Sequence, residues 1–248
     1  DLGGTNMKTI AVYAPIISLS KKSNDFTLRL KNKQELTFEY LQQLADHSYN
    51  PGISLKQGQD SPPIAAAGYY LTSLLRMNQY DAILTAAIDD DSLTKIARQN
   101  PVAFCISTTM IREKESLAAV VRQIRKFLKD ILIIVGGVQV WKSYLLIQKA
   151  DILTQNNLIS ETSLFENNET IFPCSKSEID ADIFVISNHG SAMMLQILDQ
   201  VLKKGTNCDF NNIPNLALPD SNGRFYFTKT VTEEIDYDMD YTHWELID

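Results

Sequence analysis

The sequence predicts a doubly wound α/β domain built on a five-stranded parallel sheet. Two short apolar runs carry much of this prediction, residues 102–106 (VAFCI) and 131–135 (ILIIV). Neither run alternates with polar residues, which is typical of strands that helices cover on both faces of a parallel sheet. A third observation is that such runs alternate regularly with helical patterns along the chain, as in successive strand–helix–strand units.

Five segments are predicted as strands one to five. In chain order they are residues 8–14, 81–87, 102–107, 131–135 and 182–187. We expect the sheet order two, one, three, four, five, which is a flavodoxin-like or Rossmann-like arrangement.

Helical patterns lie between these strands. The clearest has apolar residues at positions 117, 120, 121, 124, 127 and 128, which share one helix face. Similar stripes precede strands two and three and follow strands four and five, within residues 64–75, 93–97, 140–147 and 194–202. Gly205 is a suitable C-terminal cap for the last helix.

Three polar segments fall outside this minimal pattern. Residues 16–63 and 150–180 are predicted to be insertions into the domain. Residues 206–248 are predicted to form a C-terminal extension, in which residues 224–227 (RFYF) fit one strand of a linker hairpin.

The first six residues, DLGGTN, are similar to the phosphate-binding turn of actin-like sugar kinases. That motif functions only after a strand and with a second phosphate motif, and neither is found. We interpret residues 1–6 as a cloning scar or upstream sequence and expect the domain to cover residues 7–205.

The composition excludes several classes of protein. A net charge of −7 argues against nucleic-acid binding. No apolar stretch approaches the roughly 20 residues that span a bilayer, and no secretory signal is recognised. The widely spaced Cys105, Cys174 and Cys208 favour a reducing compartment, and hence a cytoplasmic location, over disulfides or a zinc site.

The loops after the strands are predicted to form a ligand site, because ligands of such sheets lie outside the carboxyl ends of the strands. These loops contain Pro15, Ile16, Ser107, Thr108, Thr109, Gly136, Gly137, Val138, Asn188, His189 and Gly190. They provide hydroxyl groups and backbone amides but few charges. A large, mostly neutral ligand is therefore expected, and no catalytic residue or metal ligand is assigned.

Structural roles compete with each of these assignments. Ser107 and Thr109 also suit helix N-caps, and Gly136-Gly137 also suits a tight turn without a ligand. His189 fits a surface loop. The carboxylates of residues 89–91 fit helix capping rather than metal binding, and those of residues 233–240 fit a solvated linker face.

The Ser-x-Thr of residues 107–109 and the Gly-Gly of residues 136–137 are separated by 26 residues. In this spacing they resemble the cobalamin-binding domain at the N-terminus of many radical S-adenosylmethionine enzymes. The resemblance covers residues 62–149 and 181–248. It implies that Ser107 and Thr109 flank the nucleotide tail of cobalamin, and that the glycine pair lets the tail pass between strand ends.

Two motifs of related proteins are absent from the chain. No Asp-x-His-x-x-Gly follows strand one, so the resemblance implies a cobalt ion without a protein histidine ligand. No Cys-x-x-x-Cys-x-x-Cys occurs either. The iron-sulfur cluster and S-adenosylmethionine are therefore expected only in a separate radical barrel domain, in cis or in trans. We expect no radical chemistry from this chain alone, which is interpreted as an excised domain or a protein that has lost its barrel.

The resemblance implies a cobalamin-binding domain whose complete protein performs methyl transfer. One alternative is a degenerate, ligand-free Rossmann-like scaffold or interaction domain, which the missing histidine and the polar insertions favour. Another is a flavodoxin-like domain that binds a flavin or nucleotide. A flavodoxin has a phosphate-binding loop after strand one, where this chain has Pro15-Ile16-Ile17.

Overall fold

The structure is a computed structural model that describes residues 8–15, 27–29, 35–37, 66–155, 171–172, 175–205 and 208–233. The strands of this part are β1 (Thr9–Tyr13), β2 (Thr27–Arg29), β3 (Glu35–Thr37), β4 (Asp81–Thr85), β5 (Ala103–Ser107), β6 (Leu132–Gly136), β7 (Ile183–Val185), β8 (Leu216–Pro219) and β9 (Phe225–Phe227). Its helices are α1 (Ala66–Met77), α2 (Asp90–Arg98), α3 (Lys114–Phe127), α4 (Val138–Gln155) and α5 (Ser191–Lys204). None of the described helices is both long and apolar enough to cross a membrane.

The main sheet has the strand order β4-β1-β5-β6-β7-β8-β9. The first five of these strands run parallel to their neighbours. They correspond to predicted strands two, one, three, four and five. The predicted order and the doubly wound α/β class are therefore confirmed.

The predicted number of five strands is wrong, because the described residues of the main sheet include two further strands. β8 pairs antiparallel with β7, and β9 pairs antiparallel with β8. The predicted hairpin near residues 224–227 is thus present, but it extends the sheet of the domain. Leu216 and Ala217 are fully buried, which explains why β8 packs here instead of forming a linker.

Helices cover both faces of the sheet. One face packs against α2, α3 and the start of α4 through a core that includes Ala11, Phe104, Ile133, Phe184, Leu93, Ile124 and Val140. The other face packs against α1 and α5 through Ile10, Cys105, Ile134, Val185, Leu75 and Ile197. Because successive strand residues point to opposite faces, both cores require apolar side chains, and this produces the continuous apolar runs.

The two segments predicted as insertions contain secondary structure and core residues in the parts that the structure describes. α4 continues to Gln155, and Phe172 and Ile179 are fully buried in the core. Within residues 16–63, β2 and β3 form an antiparallel pair that is separate from the main sheet. The rest of both predicted insertions, like residues 1–7, lies outside the described residues.

Candidate functional site

Parallel pairing brings four of the predicted loops to one edge of the sheet. β1, β5, β6 and β7 are successive neighbours, so their carboxyl ends lie side by side. Ser107, the last residue of β5, is in register with Gly136, the last residue of β6. Pro15 is buried just beyond β1, whereas Ile16 lies outside the described residues.

Ser107 and Thr109 form a pair of hydroxyl groups at this edge. Their Oγ and Oγ1 atoms are 3.1 Å apart, and the Thr109 N–H donates to Ser107 Oγ at 3.5 Å. Ser107 is 6% exposed, and Thr109 is exposed. The pair therefore extends from the buried end of β5 to the surface, with hydroxyl groups that both donate and accept hydrogen bonds.

The hydroxyl of Thr108 has a different position, because it holds the loop to β6. Its backbone N–H and its Oγ1 both donate to the carbonyl oxygen of Gly136, each at 2.8 Å. Thr108 is fully buried. These contacts favour a structural role for the Thr108 hydroxyl.

Gly137 is required by the packing of this turn. Its φ is +104°, and a Cβ atom placed on it would lie 2.9 Å from the Thr108 backbone nitrogen. L-residues rarely adopt that conformation, and the contact would be a clash with main-chain atoms. The tight-turn interpretation is therefore sufficient to explain Gly137, which lies between β6 and α4.

Gly136 differs from Gly137, because nothing in the described structure requires glycine at residue 136. A Cβ atom there would meet only the Cβ of Val185 among the described residues, at an ordinary contact distance of 3.6 Å. Its φ is outside the left-handed region. The missing side chain leaves space beside Ser107, on the sheet face covered by α1 and α5.

The loop after β7 completes the edge. Asn188 and His189 are exposed, and Ser187 is buried. Gly190 begins α5 with φ +69°, and a Cβ atom on it would lie 2.8 Å from Val185 Cγ1. This close approach requires glycine at residue 190 for packing.

A carboxylate from the C-terminal segment also reaches this edge. Glu233 Oε2 accepts hydrogen bonds from Ser187 Oγ and from the Gly190 N–H, the latter at 3.1 Å. The prediction that residues 233–240 form a solvated face is therefore wrong for Glu233. No local pattern identifies this residue, because its position depends on the fold of the hairpin before it.

The acidic run at residues 89–91 has the predicted structural role. The Asp89 carboxylate accepts a hydrogen bond from the Ser92 N–H at 2.8 Å and caps α2. This hydrogen bond is the main cause of a lowered pKa of the Asp89 carboxyl. Within the described residues, no three His, Cys, Asp or Glu side chains are grouped as a metal site.

Cys105 is buried in the centre of the sheet. Burial raises the pKa of its thiol to about 12, so the thiolate is not formed near neutral pH. The residue therefore belongs to the core and offers no reactive sulfur to the ligand edge.

A large cleft lies at the opposite, amino edge of the sheet. Its volume is about 780 Å³, and its lining includes Lys8, Val102, Leu132, Arg125, Lys176 and Asp182. Three of its charged groups are paired: Asp182 bonds Arg125 at 2.8 Å and Lys176 at 2.6 Å, and it accepts a hydrogen bond from the Ile133 N–H at 2.8 Å. This network joins α3 to the starts of β6 and β7 and has a structural role.

The fold thus defines a doubly wound α/β domain whose carboxyl edge carries the Ser107–Thr109 hydroxyl pair and Gly136. No family model matches the sequence, and no curated protein matches it. Among solved structures, the chain is similar to the cobalamin-dependent S-adenosylmethionine radical enzyme OxsB with aqua-cobalamin and S-adenosylmethionine bound. That match has a TM-score of 0.48 and 13% identity, and covers 95% of this chain and 24% of that one.

The chain is also similar to the radical S-adenosylmethionine methyltransferase TsrM from Kitasatospora setae, with cobalamin and a 4Fe-4S cluster bound. The TM-score is 0.47 with 10% identity, and the match covers 93% of this chain and 30% of that one. The chain therefore spans less than a third of either of these solved structures.

Proposed function

We propose that this chain is a cobalamin-binding domain that presents the cofactor to a radical S-adenosylmethionine barrel. The observation that carries the proposal is Gly136. The described structure does not require glycine at this strand end, yet the missing side chain opens space directly beside the Ser107–Thr109 hydroxyl pair. A strand end that has glycine beside polar side chains can accommodate a bulky ligand.

The chemistry of the edge also fits cobalamin. The hydroxyl groups of Ser107 and Thr109 match a ligand that carries amides and a nucleotide tail with hydroxyl groups. Pro15, Ser107, Thr109, Gly136 and Asn188, which the structure describes at this edge, are uncharged, and this suits a largely neutral group. The buried Pro15 has no N–H to offer a phosphate, which disfavours the flavodoxin-like alternative.

The residues are assigned separate roles. Ser107 and Thr109 flank the nucleotide tail, and Gly136 admits it between the ends of β5 and β6. Pro15, Val138, Asn188 and His189 line the remaining edge. Thr108, Gly137 and Gly190 shape the loops through their own contacts.

Bound cobalamin would supply a cobalt centre that carries a methyl group, and the longer protein would use it for methyl transfer. This chain would bind and orient the cofactor without a histidine ligand to cobalt. The barrel, in cis or in trans, would hold the iron-sulfur cluster and S-adenosylmethionine. The proposed location is the cytoplasm, and nucleic acids and membranes are not proposed as partners.

The ligand-free scaffold is the second candidate, and one specific observation favours it. The Thr108 hydroxyl bonds the Gly136 carbonyl and Gly137 packs tightly against Thr108, so part of the Ser-x-Thr and Gly-Gly pattern is explained without a ligand. Only Gly136 and the Ser107–Thr109 pair are left to distinguish the two candidates.

The test is an absorbance titration of the purified chain with hydroxocobalamin, with ultrafiltration to separate bound from free cofactor. Riboflavin 5′-phosphate is titrated in parallel. We expect stoichiometric retention of cobalamin and no retention of the flavin. A folded sample that retains neither supports the scaffold, and one that retains only the flavin supports the flavodoxin-like alternative.

A further inference from the structure

Asn215 fixes the chain that follows the hairpin against the end of β7. Its backbone N–H donates to the Lys229 carbonyl at 3.0 Å, and its carbonyl accepts from the Ile186 N–H at 2.9 Å. Its side chain donates to the Val231 carbonyl at 2.9 Å and accepts from the Val231 N–H at 2.8 Å. We call residues 229–233, held in this way, the strap.

The conformation of Asn215 is specific to this contact. Its φ is +58°, and the residue is 3% exposed. Asparagine is one of the few residues other than glycine that adopts the left-handed region readily. Because the backbone of Asn215 bonds β7 and its side chain bonds Val231, the strap is held at the carboxyl edge.

The strap ends at Glu233, whose two carboxylate oxygens have different surroundings. Oε2 accepts from Ser187 Oγ and from the Gly190 N–H at the start of α5, where a negative charge is favourable. Oε1 is buried and has no hydrogen-bond partner among the described residues. Burial of a carboxylate oxygen without a donor is unfavourable, so this atom requires a partner.

Gly190, which Glu233 bonds, and Gly136 lie against the same side chain. The side chain of Val185 lies against both glycines, 3.6 Å from a Cβ placed on Gly136 and 2.8 Å from one placed on Gly190. Glu233 bonds the Gly190 N–H directly. The side chain of Val185 therefore lies between Gly190, which Glu233 bonds, and the space beside Gly136.

We propose that Glu233 is a ligand-binding residue and that the strap forms the β7 side of the ligand site. Oε1 accepts a hydrogen bond from a hydroxyl or amide donor on the nucleotide tail of cobalamin. This inference rests on the proposed function. It adds a residue that discriminates corrinoids with a nucleotide tail from those without one.

The test uses two ligands, hydroxocobalamin and cobinamide, which lacks the nucleotide tail. Glu233→Gln keeps an oxygen for the Gly190 N–H and places an amino group where Oε1 was. We expect this variant to bind cobalamin about tenfold more weakly than the unmodified chain. Its affinity for cobinamide is expected to change by no more than about twofold, because the contact is with the tail.

Two further variants control for structure. Glu115→Gln, the same substitution at an exposed position of α3 outside the strap, is expected to bind both ligands as the unmodified chain does. Asn215→Gly keeps the left-handed backbone but removes the side-chain bonds to Val231, so it is expected to reproduce the selective loss of cobalamin affinity. Thermal unfolding verifies that each variant is folded.

Unchanged cobalamin affinity in Glu233→Gln would overturn the inference, as would an equal loss for cobalamin and cobinamide. In both cases the unmodified chain still binds cobalamin, so the proposed function stands. Failure of the unmodified chain to retain cobalamin would instead overturn the proposed function, and the role of Glu233 with it.

Discussion

Ser107 Oγ and Thr109 Oγ1 lie 3.1 Å apart at the carboxyl end of β5, with Thr108 between them turned toward β6. Alternate residues of this short loop therefore make separate contacts. Two hydroxyl groups remain available at the edge, while the third holds the loop to the Gly136 carbonyl.

This separation predicts different effects of removing each hydroxyl. Ser107→Ala and Thr109→Val are expected to weaken cobalamin binding about tenfold each, with little change in stability, because each loses one hydrogen bond to the ligand. Thr108→Val is expected to destabilise the fold by about 1 kcal/mol, because it removes the buried side-chain hydrogen bond to the Gly136 carbonyl and keeps only the backbone one. Cofactor retention and denaturant unfolding measure the two effects, and a reversed pattern would contradict the assignment.

The two adjacent glycines give a second prediction. Gly137→Ala is expected to lower the free energy of unfolding by about 1–3 kcal/mol, because it combines a left-handed φ with a clash against Thr108. Gly136→Ala is expected to change it by no more than about 0.5 kcal/mol, since its Cβ meets Val185 at an ordinary distance. Denaturant unfolding of both variants checks this, and equal losses would show that the two positions are equivalent.

The charged network at the amino edge is expected to support the fold without affecting the ligand. Arg125 is 15% exposed and bonds Asp180 at 3.2 Å and Asp182 at 2.8 Å. Arg125→Met should lower stability by about 2 kcal/mol, because it removes the guanidinium from the half-buried Asp182 carboxylate and leaves Lys176 as its cationic partner. Cobalamin affinity, measured on the folded variant, should be unchanged. A weakened affinity would mean that the amino-edge cleft takes part in binding.

The capping of α2 gives a pH-dependent prediction. The pKa of Asp89 is lowered in the folded state, mainly by the hydrogen bond from the Ser92 N–H. Its contribution is therefore fully present above the unfolded-state pKa and is lost as the pH falls through the folded-state value. Asp89→Ala is expected to lower the melting temperature at pH 7 and to reduce this part of the acid dependence.

Asp89→Asn is the matched variant, because an asparagine side chain caps a helix without titrating. At pH 7 it should retain more of the stability of the unmodified chain than Asp89→Ala does. Like Asp89→Ala, it should lack the loss of stability that accompanies protonation of the Asp89 carboxyl. An acid profile identical to that of the unmodified chain would show that Asp89 is not the titrating group.

The central sheet is predictable from the sequence because its strands are buried on both faces. Residues 103–107 and 132–136 have few alternatives to a covered parallel strand, and the helical stripes between the strands set their order. The position of the carboxyl-edge loops follows from the same reasoning. Because parallel strands end at one edge of the sheet, the sequence predicts that Ser107, Thr109 and Gly136 lie there.

The remaining features depend on contacts that local patterns do not encode. β8 has four residues and ends in proline, so its place beside β7 is set by burial of Leu216 and Ala217. Phe172 and Ile179 join the core from a polar segment. Glu233 reaches the edge at the end of a segment that Asn215, with its positive φ, holds through Val231.

The most direct measurement of the central claim is hydroxocobalamin retention by Gly136→Leu, compared with the unmodified chain. Ala86→Leu serves as the matched control, since residue 86 is exposed just beyond β4 at the same edge of the sheet. We expect the unmodified chain and Ala86→Leu to retain the cofactor stoichiometrically. A folded Gly136→Leu is expected to retain none, because its side chain fills the space proposed for the nucleotide tail. Full retention by that variant would contradict the account.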